Sequence, residues 1–119
     1  MENTNLPTEI TLHQQSKSLE LAYGQQRYNL SAEYLRVYSP SAEVRGHGAG
    51  QEVLQLDKEN VGINQLEPSG NYALKIYFDD GHDSGLFTWD YLYELSTKYD
   101  AHWQDYLNRL EKAGHKRQG

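Results

Sequence analysis

The residues of this chain best suited to chemistry stand together in Gly81-His82-Asp83-Ser84-Gly85, directly after Asp79 and Asp80. A serine, a histidine and an aspartate are the parts of a nucleophilic hydrolase: the imidazole takes the hydroxyl proton and the carboxylate orients the imidazole. Triad members converge from separate segments, whereas these three are consecutive. On an extended strand His82 and Ser84 share a face and Asp83 points away. The order also lacks the Gly-x-Ser-x-Gly elbow that exposes a nucleophilic serine. A structural turn, in which Asp83 and Ser84 bond backbone groups, is the better reading, and no catalytic residue is assigned.

Metal and phosphate chemistry fare little better. Asp79, Asp80 and Asp83 could offer oxygen to a hard cation, but the glycine comes too early for a calcium loop and the closing glutamate is missing. Gly46-His-Gly-Ala-Gly50 resembles a phosphate loop only in glycine content, without the strand, helix and spacing that such a loop requires. The five histidines, at 13, 47, 82, 102 and 115, include no pair at the helical spacing of a zinc protease. His47 and His82 are the two in loops able to converge, and they approach a tetrahedral set only if Glu43 or Asp83 joins them. The reading is therefore no metal and no cofactor, with His82, His47, Glu43 and Asp83 as the alternative.

Composition narrows the class further. A chain of 119 residues suits one domain, here 1–119, long enough to bury a core without disulfide or metal. Cysteine is absent, which excludes disulfides, thiolate sites and cysteine nucleophiles, and fits a reducing compartment. Seventeen acidic against eleven basic residues give a net charge of −6, which disfavours nucleic-acid binding. The polar start has no secretory pattern, and no apolar run approaches the roughly 20 residues of a membrane span, so a cytoplasmic protein is expected. Ten tyrosines are many for this length; they suit either an interface or a half-buried sheet.

The elements that must position these residues follow in order. Glu9 to His13 reads as an edge strand, and Ser18 to Tyr23 as a clearer one with Leu19, Leu21 and Tyr23 on one face. Gly24 turns the chain and Arg27 to Leu30 returns, a hairpin. Ser31 caps a short helix that carries Tyr34, Leu35 and Tyr38 and is ended by Pro40. Ser39 to Gly50 is a glycine-rich loop, and Gln51 to Leu56 either a helical turn or an extended piece. Val61 to Leu66 reads as a strand and Glu67 to Gly70 as a turn. A central strand from Asn71 to Phe78 sets Tyr72, Leu74, Ile76 and Phe78 on one face, and Asp79-Asp80-Gly81 reverses it into Gly85 to Phe87. Thr88 caps a helix with Trp89, Leu92 and Leu95 in step; a last helix from about Asp100 carries Trp103, Leu107 and Leu110 and stops at Gly114. The fold class is α+β, a small mostly antiparallel β domain with one short helix after the first hairpin and two C-terminal helices. Order is expected over about 9–113, with 1–7 and 115–119 flexible.

Two segments carry a family resemblance: Tyr34-Leu-Arg-Val-Tyr-Ser-Pro-Ser-Ala-Glu43, and Gly70-Asn-Tyr-Ala with Asp80-Gly-His-Asp-Ser-Gly85 and Trp89-Asp-Tyr-Leu92. Together they resemble the gamma-butyrobetaine-hydroxylase-like N-terminal domain family, over roughly Leu19 to Leu95. That family occurs as small stand-alone bacterial proteins, as the front module of gamma-butyrobetaine and trimethyllysine dioxygenases, and attached to some iron–sulfur scaffold ATPases. The resemblance implies an antiparallel β domain with flanking helices. It also implies a site, since many members carry Leu-Arg-x-x-Cys-Pro-Cys-x-x-Cys. In the dioxygenases those cysteines and the histidine of Asp-Gly-His hold a structural zinc. On this chain the cysteine positions fall on Ser39, Ser41 and Val44, and the histidine position on His82. Serine gives no thiolate near neutral pH and valine no ligand, so the resemblance implies a lost zinc site. Arg36 is read as structural, paired with an acidic residue.

The catalytic iron of those dioxygenases belongs to a separate downstream domain, so activity does not transfer with the module. The expectation is a non-catalytic accessory module that binds a protein partner through the Ser39–Gly50 loop and exposed tyrosines. The alternative is a metal-handling protein, for iron or zinc, linked to iron–sulfur assembly.

Overall fold

The computed structural model describes residues 6–45 and 53–117. The alternating N-terminal stretch forms strands β1 (Glu9–His13), β2 (Ser18–Tyr23) and β3 (Gln26–Ser31), an antiparallel sheet in that order. Tyr23 pairs with Gln26, so the β2–β3 reversal is a two-residue turn in which Gly24 supplies a positive φ of 66°. Leu19 and Leu21 point inward and are fully buried.

The Ser31 hydroxyl then accepts the Tyr34 N–H at 3.1 Å and starts α1 (Ala32–Val37). All six residues of α1 are buried, Glu33 and Arg36 included, so this short helix is central to the fold. Past Pro40, where a loop is expected, the chain winds one further turn, α2 (Ala42–Arg45).

The second sheet holds β4 (Ile63–Ser69), β5 (Ala73–Phe78) and β6 (Leu86–Thr88), antiparallel and in that order. Glu67, Pro68 and Ser69, expected to turn, continue β4, with Glu67 opposite Lys75 and Pro68 opposite Leu74. Proline is tolerated because β4 lies at the sheet edge, where a missing N–H leaves no neighbour unpaired. The reversal comes at Gly70, whose φ is 56°. Leu74, Ile76 and Phe78 share the buried face as expected, but Tyr72 belongs to the turn and is 55% exposed.

Thr88 accepts the Tyr91 N–H at 3.1 Å and opens α3 (Trp89–Thr97), which turns Trp89, Leu92 and Leu95 into the core. After Lys98 the chain re-forms as α4 (Tyr99–Lys112). Its deepest residue is Tyr106, 1% exposed, which the leucine and tryptophan pattern does not reveal. Gly114, at φ 75°, ends α4, and the His115 N–H reaches back to the Leu110 carbonyl at 3.0 Å. Arg117, in the segment expected to be flexible, forms a two-pronged pair with Glu33, its Nε at 2.8 Å from Oε2.

Four tyrosine tips explain part of the tyrosine content. The hydroxyl of Tyr34 donates to the Leu95 carbonyl at 2.8 Å and that of Tyr38 to His102 at 2.6 Å. Tyr91 donates to the Tyr38 carbonyl and Tyr106 to Gln55, both at 2.6 Å. Each ring fills space between elements while its tip satisfies a carbonyl from another one. Burial pushes all four phenols up, Tyr106 to about 12.

Candidate functional site

The end of β5 decides where His82 goes. The Phe78 N–H binds the His82 carbonyl at 3.0 Å and the Gly81 N–H binds the Phe78 carbonyl at 3.1 Å, closing a tight reversal with Gly81 at φ 90°. His82 is thereby turned inward and is 6% exposed, whereas Asp83 and Ser84 are exposed. Inside, the His82 Nε2 lies 2.8 Å from the Ser39 hydroxyl and 3.3 Å from that of Ser41. Those serines come from the segment joining α1 to α2, 43 and 41 residues away along the chain. Val44 is buried too, at 7% exposure.

Gly85 closes the cluster from the other side. A Cβ there would stand 2.4 Å from the Ser39 hydroxyl and 3.1 Å from the Ser41 nitrogen, so only glycine lets the two segments approach this closely. Arg36 and Asp80 brace the reversal from outside. Arg36 donates from Nε to Asp80 Oδ2 at 2.9 Å and from its terminal nitrogen to Gln55 at 3.1 Å. Lys58 reaches the same Oδ2 at 3.0 Å, and the His82 N–H binds Oδ1 at 3.2 Å. Burial works against the Asp80 charge, but the bonds from Lys58, the His82 N–H and Arg36 outweigh it and hold the carboxyl below its ordinary range. The structural role read for Arg36 thus has its acidic partner, 44 residues away.

Of the residues singled out as an alternative metal set, His82 is placed inside this cluster and Asp83 outside it. His47 and the side chain of Glu43 lie outside the described residues. Asp80, not Asp83, makes the turn-closing bond to the backbone. The donors that do converge are one imidazole nitrogen and two hydroxyls. Neutral hydroxyls are weak ligands for a transition ion, and the Asp80 carboxylate of the same turn is taken by Arg36 and Lys58. A hollow of about 400 Å³ opens beside the cluster, lined by Pro40, Arg45, Leu86, Thr88, Asp90, Tyr91 and Glu94, and none of Ser39, Ser41 and His82 lines it. A second grouping escaped the sequence reading: Asp57, Glu59 and His115, whose ligating atoms lie within 4.8 Å of one another. The spacing Asp57-x-Glu59 is visible in the chain, but its convergence with His115 is not.

Residues 10–93 match the family model described as gamma-butyrobetaine hydroxylase-like, N-terminal. The chain belongs to this family. Two structures determined by NMR in solution are similar to it. One shares 61% identity with a TM-score of 0.83, over 94% of this chain and 89% of that one. The other shares 46% identity with a TM-score of 0.78, over 98% and 89%. A crystal structure from Acidithiobacillus ferrooxidans, of a protein of unknown function in the DUF971 family, shares 33% identity with a TM-score of 0.64, over 81% of this chain and 98% of that one. No curated protein matches. Among the described residues, no helix is long and apolar enough to cross a membrane.

Proposed function

We propose that this member of the gamma-butyrobetaine hydroxylase-like N-terminal family is a non-catalytic module that binds another protein in the cytoplasm. The supporting observation is the buried clasp of His82 with Ser39 and Ser41, overlaid by the Gly85 backbone. An acid–base group must reach a substrate to act, and this imidazole is buried with its Nε2 against two neighbouring hydroxyls. At the family's ligand positions, hydrogen bonding and packing take over the mechanical work of zinc. Recognition would use the stretch that runs on from the buried Ser39, Ser41 and Val44 through the exposed Arg45, together with exposed apolar side chains including Tyr72, Tyr93 and Leu86. The net charge of −6 supports a protein partner over nucleic acid.

Affinity capture with the full chain as bait tests this reading. A specific partner should be recovered by the wild type and lost when residues 46–50 are deleted or Tyr72 and Tyr93 are replaced by alanine. A partner list unchanged by both variants overturns it.

The second reading, a metal-handling protein of iron–sulfur assembly, draws on the same convergence of His82 with the family's ligand positions. It requires a bound iron or zinc that disappears with His82→Ala. On the first reading, metal content is the same in His82→Ala as in the wild type.

A further inference from the structure

We infer that Asp57, Glu59 and His115 form a surface binding site for a divalent first-row cation, with zinc as the best fit. The three residues come from two distant segments, the loop ahead of β4 and the turn that ends α4. Their ligating atoms already lie within 4.8 Å of one another. Bonds of about 2.0–2.2 Å from zinc to nitrogen and oxygen would need these atoms to close by only about 1 Å. Two carboxylates and one imidazole make a mixed oxygen–nitrogen set suited to zinc, with water completing the shell.

The decisive group is His115. Its backbone N–H is fixed to the Leu110 carbonyl at 3.0 Å, which sets the direction in which the ring leaves α4. Its Nε2 is shut off from solvent and makes no hydrogen bond, standing 3.5 Å from Asp57 Oδ1. A ring nitrogen that has lost water and gained no hydrogen bond costs free energy. A cation between it and the carboxylates would remove that cost. Lys58 is bonded to Asp80 and Arg117 to Glu33, and the Glu59 charge also acts on Arg117. The competing arrangement is a simple ion pair between protonated His115 and Asp57, which needs no metal.

The site has a mechanical consequence. The loop that carries Asp57 and Glu59 also carries Gln55 and Lys58, both bonded to the Arg36–Asp80 junction. A bound ion would fasten the end of α4 to that loop. The inference uses none of the residues of the His82 clasp and stands whether or not the chain binds a protein.

Zinc chloride titrated into the full chain, followed by calorimetry and by the histidine ring signals in NMR, decides between ion and ion pair. Expected are one equivalent bound, displacement of the His115 ring signals, and a melting temperature higher by several degrees at saturation. His115→Ala should weaken binding by at least about 10–100-fold, and Asp57→Asn with Glu59→Gln should do the same. His115 lies beyond the last helix, so its loss leaves the fold in place, and His82→Ala should retain the zinc. No binding, or binding unchanged by His115→Ala, overturns the inference.

Discussion

Two clusters in this molecule each pair a guanidinium with a carboxylate that a histidine also bonds, by its ring in one and by its backbone N–H in the other, and they behave differently. On the outer face of the first sheet, His13 Nε2 lies 2.8 Å from Glu20 Oε1, and Arg27 bridges Glu20 at 2.8 Å and Glu9 at 3.2 Å. All four residues sit on three neighbouring strands, and Arg27 keeps 54% of its side-chain surface in water. At the second sheet, Arg36, Asp80 and the His82 turn join segments more than 40 residues apart, and Arg36 keeps only 9%. Arg27 and Glu9 of the first set stay largely in water, so forming those pairs gains little. In the second, Arg36 left alone would be a desolvated charge. The lesson is that position, not residue type, decides which ionic contact holds this fold.

The largest effect should come from breaking the buried cluster. Asp80→Ala leaves Arg36 without its carboxylate and should cost about 3 kcal/mol, measured by urea unfolding. The same carboxyl sets a pH dependence. Its folded value lies below the ordinary 3.8, so its stabilisation is present above that value and is lost as the pH falls through the lower, folded one. Asp80→Asn should flatten that acid limb, and an unchanged limb would remove Asp80 as its source.

A middling effect is expected from the close approach over His82. Gly85→Ala places a methyl group 2.4 Å from the Ser39 hydroxyl and should cost about 2 kcal/mol. Ring signals of His82 should move in the same variant; if they stay, the clasp is looser than the contact implies. The smallest effect belongs to the exposed ladder. Glu20→Gln should leave the urea midpoint within experimental scatter, although His13 and then Arg27 lower the Glu20 carboxyl. A midpoint drop as large as that of Asp80→Ala would erase the distinction between the two clusters.

The same contrast governs what could be read from the sequence. Local features were legible: the hairpin with Gly24, the caps at Ser31 and Thr88, the buried face of Leu74, Ile76 and Phe78, and the stop at Gly114. Each follows from residues within a turn or a strand of one another. The Pro68 strand was not, because proline reads as a turn signal unless the strand is known to lie at an edge. Tyr106 was missed because its ring counts as half-polar while its tip finds the Gln55 carbonyl 51 residues away. The grouping of Ser39 and Ser41 with His82 came from the family resemblance, and spacing alone would not have joined them. The triad of Asp57, Glu59 and His115 had neither a local pattern nor a family motif to announce it.

Pro68 carries one more consequence. It sits in an outermost ribbon of seven residues, flanked by exposed Glu67 and followed by Ser69. A visiting polypeptide that tried to lengthen the sheet on this side would find no amide hydrogen at Pro68 and a negative charge beside it. Cross-β stacking is therefore interrupted along that border, which helps to keep neighbouring copies from zipping together in a crowded solution.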